Sequence, residues 1–183
     1  MKINELIQSD LYRYYGGAKL GLREKSQLFG FKYTRVLRKT HYWKDRNKII
    51  YYFYAYKLNK LQLKYGYQIS TSATIGRGLY LGHMGAIVVN PQAVLGDNVN
   101  LSLNVVIGKQ NRGEKKGAPH IGSSVWIGSG AIIVGKIVIG DDVMIAPNAY
   151  VNFDVPSHSI VIGNPGKIIS RENATEGYIV NKV

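Results

Sequence analysis

The 183-residue chain contains no cysteine, which removes disulfides, thiolate metal sites and cysteine nucleophiles together. No apolar run approaches the roughly 20 residues that a helix needs to cross a bilayer. The opening stretch MKINELIQSDLYRYYGG carries Glu5 and Asp10 and lacks the apolar centre of a secretory signal, so a cytoplasmic protein is expected. The four histidines, His41, His83, His120 and His158, are far apart and lack acids at ligand spacing, so no metal is expected. No glycine-rich phosphate loop of the nucleotide-binding kinds is present. Acids are scarce where bases are abundant. Residues 1–65 hold 15 of the 24 Lys and Arg against four acids, whereas the remainder holds nine against seven. The formal charge of +13 therefore belongs to the N-terminal third. No RNA-binding module pattern accompanies it, so no specific nucleic acid is expected as a partner.

From Ile69 onward the chain repeats with period six. Aliphatic residues fall at Ile69, Ile75, Leu81 and Ile87, and after a two-residue shift at Val89, Leu95, Leu101 and Ile107. A polar interruption, KQNRGEKKGAPH (109–120), follows, and the pattern resumes at Ile121, Ile127, Ile133, Ile139, Ile145 and Val151. Glycine often follows the aliphatic residue, as at Gly76, Gly96, Gly122 and Gly140. A helix of period 3.6 cannot keep residues six apart on one face, and two-residue alternation has no use for the glycine. A triangular coil accounts for both: each hexad makes one short strand and one corner, with the aliphatic side chain stacked inside and the glycine permitting the turn. About 13 hexads predict a little over four coils. Each stacked position would contribute roughly 1.5–3 kcal/mol of burial. Such a prism is packed, so chemistry belongs outside it, and 109–120 is expected to extrude as a functional loop. A lone prism would expose flat faces carrying Leu79, Tyr80 and Trp126. Asp141 and Asp142 read as solvated residues of a repeat corner.

Residues 34–64 contain no Gly or Pro, and Ile49, Tyr52, Phe53 and Tyr56 cluster at helical spacing. One or two helices are expected there, as part of a basic N-terminal region (1–66) that holds ten of the 14 tyrosines. The leading expectation is an amphipathic cap whose aromatic face covers the open end of the prism, with Lys and Arg in solvent. A membrane-surface role for the basic aromatic helix is the alternative. The β-helix would run over 67–170, with a tail at 171–183.

Three passages, ISTSATIGRGLYLGHMGAIVV (69–89), the loop 109–120 and VPSHSIVIGNPGKII (155–169), resemble the serine O-acetyltransferase branch of the hexapeptide-repeat acyltransferases. The loop and ending look especially like members associated with bacterial capsule and exopolysaccharide synthesis. The resemblance implies a mainly β fold, a left-handed parallel β-helix, assembled as a homotrimer with acetyl-CoA as co-substrate. It aligns His83 with the family's general base, which takes the proton of an attacking hydroxyl. It maps the backbone oxyanion donor to Gly108 and Lys109. It maps the pantetheine arm to Gly128, Ser129, Ala146 and Pro147, and a phosphate contact to Lys167.

Several family positions are altered. The acid before the histidine is Gly82, the acid one coil earlier is Gln68, and the basic–histidine pair ending the loop is Gly117–Ala118, with His120 two residues on. Serine carries a cation and an anion, and unpaired buried charge is costly. These substitutions lead to the expectation of an uncharged acceptor, a sugar hydroxyl in bacterial polysaccharide synthesis, with Gln68 or a backbone carbonyl orienting His83. Serine O-acetylation is the enzymatic alternative, and a non-catalytic trimeric scaffold that binds a partner is the other.

Overall fold

The computed structural model describes residues 2–19 and 21–183, the side chains of 25–27 excepted. Fifteen strands of two to four residues build a triangular solenoid with three parallel walls. The first wall stacks residues 67–69, 87–89, 106–108, 132–134 and 150–151. The second stacks 74–75, 94–95, 120–121 and 138–139. The third stacks 80–81, 100–101, 125–127, 143–145 and 159–162, and the antiparallel strand Lys167–Ser170 closes it. That makes five coils, one more than the hexad count suggested, because the last coil at 150–162 departs from the repeat.

The hexad residues form the core. Ile69, Val89, Ile107, Ile133 and Val151 stack as one column, and Leu81, Leu101, Ile127, Ile145 and Val161 as another; all ten are buried. Ile87 is out of phase and pairs with Tyr67 instead. The break in phase is the five-residue corner 82–86, two residues longer than its counterpart at 102–104.

The glycines after the aliphatic residues work differently from the expectation. Gly76, Gly96, Gly122 and Gly140 do not adopt positive φ. Each sits where a Cβ would strike the next coil; at Gly96 it would lie 2.7 Å from the carbonyl carbon and oxygen of Gly122. Two residues later the chain does turn left-handed at every coil, at Gly78, Asn98, Ser124, Asp142 and His158. Glycine is thus needed for close coil stacking, and the corner itself is made largely by Asn, Asp, Ser and His.

Among the described residues four helices precede the prism: α1 (Ile3–Tyr15), α2 (Leu22–Gln27), α3 (Phe29–Trp43) and α4 (Lys48–Tyr65). The helical pattern at 34–64 therefore marked only α4 and part of α3. Packing of α3 uses Gly30, where a Cβ would run into Leu81 O and the Tyr14 hydroxyl. Asp10 on α1 makes a buried bidentate pair with Arg38 on α3, both contacts 3.0 Å, and Arg38 also donates to Ile75 O and Gly76 O of the first coil. Arg13 donates to Gly78 O, the Asn100 side chain and Val180 O, tying α1 to two coils and the C-terminal segment.

Residues 171–183 are not a loose tail. They run back along the third wall, burying Ala174, Thr175 and Ile179. Trp126 is covered by Tyr178 at 4.9 Å between ring centroids, Tyr80 by Tyr14 at 4.5 Å, and Leu79 is buried. The wall expected to lie bare is covered by the chain's own two ends, while Ile132 on the first wall and Val138 on the second remain exposed.

Candidate functional site

His83 occupies the enlarged corner between the third and first walls. Its ring is exposed and finds no hydrogen-bond partner among the described residues. The backbone beneath it is fixed more firmly. Tyr67 is fully buried and donates its hydroxyl to His83 O at 2.9 Å, and Gly85 N donates to Tyr65 O at 3.0 Å. Tyr33 on α3 supports Tyr67 edge-to-face at 4.9 Å and accepts from Ile69 N at 3.3 Å. Burial pushes the Tyr33 and Tyr67 phenols up to about 12, so both stay neutral hydrogen-bonding groups at ordinary pH. Sequence reasoning missed this tyrosine support, and the excess of tyrosine in the N-terminal third was its only signal.

The corners stacked below His83 make one edge of the prism: 82–86, 102–104, 128–130, 146–148 and 163–166. Gly128, Ser129, Ala146 and Pro147, the four residues assigned to the pantetheine arm, lie together on this edge. Gly128 N donates to Ile145 O, and Asn148 N to Ser129 O. A Cβ on Gly128 would meet Pro147 N at 2.7 Å, so the corner backbone lies flush. Apart from His83 these corners contain only Gly, Ala, Ser, Asn, Pro, Leu and Met. Lys167 follows the last of them and is exposed. It stands four coil steps from His83, roughly 19 Å at the usual strand spacing. The edge thus presents one imidazole, a neutral track and one ammonium, an arrangement that fits a thioester, an amide-rich arm and a phosphate end.

Of the other assigned residues, Gly82 precedes His83 in the same corner, and the rest lie elsewhere. Gly108 and Lys109 open the loop on the edge between the first and second walls, across a strand of about 10 Å from the His83 edge. The loop leaves the prism as expected, and it is tied down. Gln110 and Gly117 exchange two backbone hydrogen bonds of 2.9 Å at its neck. At its tip Lys115 Nζ donates to Asn152 O at 2.6 Å, and Lys115 O accepts from Lys136 N. Ala118 lies in the returning limb. His120 is exposed on the second wall, paired with Val94 and Val138, and so faces away from His83. Gln68 is exposed on the first wall beside Val88, and its side chain makes no hydrogen bond to His83.

Asp142 is more than a solvated corner residue. Its carboxylate accepts from Ala174 N, Thr175 N, Thr175 Oγ1 and His158 Nδ1. Partial burial opposes its charge, but these donors outweigh that and hold it down at about 2. Asp142 therefore anchors the C-terminal segment. A cleft of about 280 Å³ between α1, α3 and the first coil is lined by Leu37, Arg38, His41, Tyr42 and Thr74, away from the His83 edge. Arg38 and His41 are already bonded there to Asp10 and to Thr71 O. Among the described residues no three His, Asp or Glu gather as a metal site, and no helix is long and apolar enough to cross a membrane.

Known proteins resemble this chain in sequence and fold. Residues 118–152 fit the family described as bacterial transferase hexapeptide (six repeats). A serine acetyltransferase of Helicobacter pylori is 35% identical over 123 residues, which are 67% of this chain and 72% of that protein. The crystal structure of Neisseria gonorrhoeae serine acetyltransferase in complex with serine superposes with a TM-score of 0.73 at 30% identity, covering 90% of this chain and 68% of that one. That of Brucella abortus serine acetyltransferase in complex with coenzyme A gives 0.78 at 27%, covering 92% and 68%. The expected association with capsule and exopolysaccharide synthesis finds no support among these relatives. With its left-handed β-helix and its neutral, histidine-bearing edge, the chain belongs to the serine acetyltransferase family of acetyl-CoA-dependent O-acetyltransferases.

Proposed function

We propose that the chain transfers the acetyl group of acetyl-CoA to the hydroxyl of serine, with His83 as general base. The observation that carries this reading is the His83 edge, where a single titratable ring heads a neutral track ending at Lys167. A ring nitrogen of His83 takes the proton as the hydroxyl oxygen attacks the thioester carbonyl. The oxyanion so formed is met by the Lys109 N–H, the carbon–sulfur bond breaks, and the imidazolium returns its proton to the departing thiolate. The ester and free CoA are the products.

Gly108 and Lys109 lie one wall away from His83 in the same chain, so the site is incomplete in a single prism. A homotrimer that sets the loop edge of one copy beside the His83 edge of the next would complete it. The exposed Ile132 and Val138 on the walls flanking the loop edge suit such a contact. Light scattering should return the mass of three 20.4 kDa chains.

A second reading is favoured by one observation. No acid lies between Asp45 and Asp97, and none stands on the His83 edge, so nothing there would pair with the ammonium of serine. An uncharged hydroxyl, such as a sugar, meets no such cost. CoA release from acetyl-CoA with serine and with a sugar panel, for wild type and His83→Ala, separates the readings. Turnover on serine that falls by roughly 10²–10⁴ in the variant supports the first. Turnover on a sugar alone supports the second, and activity surviving in His83→Ala removes the base.

A further inference from the structure

Helix α4 is apolar on two opposite faces. Leu58, Tyr65, Tyr54 and Leu61 turn inward and pack with α3 and the first coil. Half a turn away, Ile49, Tyr52, Phe53, Tyr56 and Leu63 form a stripe, interrupted at Asn59 and Lys60, that is 52 to 83% exposed. This is the stripe that the sequence pattern assigned to covering the prism, and the opposite face took that role. An exposed apolar stripe on a helix whose opposite face is already packed marks an interaction surface.

The charges around the stripe decide what kind of partner. Lys48, Lys57, Lys60 and Lys64 lie along α4, which has no acid. Lys57 stands over the Phe53 ring at 4.2 Å and Lys60 over Tyr56 at 5.4 Å, so cations and aromatic rings share one surface. From Phe29 to Tyr65 there are ten Lys and Arg and one acid, Asp45. Two copies of this face brought together would oppose lysine to lysine. An anionic surface with an apolar layer beneath it satisfies both features: the lysines reach acidic headgroups while Phe53, Tyr52 and Tyr56 enter the interfacial zone that such rings prefer.

We propose that the exposed face of α4 docks the protein on an anionic lipid surface. The end of α4 leads directly into the site, since Tyr65 O and Gly66 O accept from Gly85 N and Ile87 N on either side of Ala86. Docking through α4 therefore holds the His83 corner close to the bilayer, whichever hydroxyl is acetylated.

The test is sedimentation of the full chain with vesicles of phosphatidylcholine alone and of one part phosphatidylglycerol to two parts phosphatidylcholine. The wild type should sediment with the anionic vesicles and stay in solution with the neutral ones. Each lysine removed should weaken binding about fivefold, so Lys57→Gln/Lys60→Gln/Lys64→Gln should lose roughly 100-fold. Tyr52→Ser/Phe53→Ser/Tyr56→Ser should lose at least about tenfold with little change in melting temperature, because all three side chains are more than half exposed. The proposal is overturned if the wild type ignores anionic vesicles, or if the aromatic variant binds as well as wild type. It is also overturned if light scattering shows a self-association that the aromatic variant abolishes, since a second copy would then occupy the face.

Discussion

Replacing Gly96 by alanine tests whether the repeat glycines serve coil stacking. The new Cβ would lie 2.7 Å from Gly122 C and O and 2.7 Å from Ser123 Oγ. The first two are backbone atoms of the next coil and cannot rotate away. Gly96 N is bound to Ile121 O at 2.8 Å and Asp97 N to Ser123 Oγ at 3.1 Å, so relief requires lengthening both bonds. Overpacking costs about 1–3 kcal/mol and each weakened hydrogen bond up to about 1 kcal/mol, giving roughly 3 kcal/mol together. For a chain of this size that is a fall in melting temperature of about 6–12 °C. Gly82→Ala is the control: it holds the same place in its hexad, but its Cβ would meet only the Tyr80 side chain, at 3.1 Å. It should cost under about 1 kcal/mol. Thermal melts at equal protein concentration compare the two, since assembly would make the midpoint depend on concentration. Equal midpoints for Gly96→Ala and Gly82→Ala would refute the stacking argument and return these glycines to a role in turn conformation.

Asp10→Ala strands the Arg38 guanidinium in a buried site and should destabilise the chain by about 3–5 kcal/mol, read by denaturant unfolding. Tyr67→Phe removes the donor to His83 O; it should cost about 1 kcal/mol of stability and lower kcat several-fold with little change in the KM for acetyl-CoA, because the corner is loosened and the neutral track is untouched. The folded pKa of Asp142 is depressed, so its anchoring of 174–175 is present above the unfolded value near 3.8 and is lost as the pH falls through about 2. The pKa of His158 is raised by its bond to Asp142, so its share is full below 6.5 and is lost as the pH rises through the folded value. Amide exchange at Ala174 and Thr175 should therefore show the strongest protection, relative to the intrinsic rate, between about pH 4 and 6.5, and Asp142→Asn should flatten that profile.

The repeat alone specified the prism, because a stack of similar coils imposes one local requirement again and again: an aliphatic residue inside at every sixth position and a glycine where coils nearly touch. It also marked the loop, which interrupts it, whereas His83 was legible only through its match to the family motif. It could not assign the partners of exposed groups. Ile49, Tyr52, Phe53 and Tyr56 have the spacing of a packed face, yet the opposite face of α4 is buried, because periodicity reports that a stripe is apolar and not which stripe meets the core. Asp142 reads as a turn residue until the chain's end, more than 30 positions later, folds back onto it. Only the tertiary structure placed Gly128, Ser129, Ala146 and Pro147 on the edge of His83 and set Lys109 and His120 apart from it. Which edge a residue joins depends on the lengths of all the preceding corners, and the two extra residues at 82–86 and the excursion at 109–120 each shift the hexad phase by two.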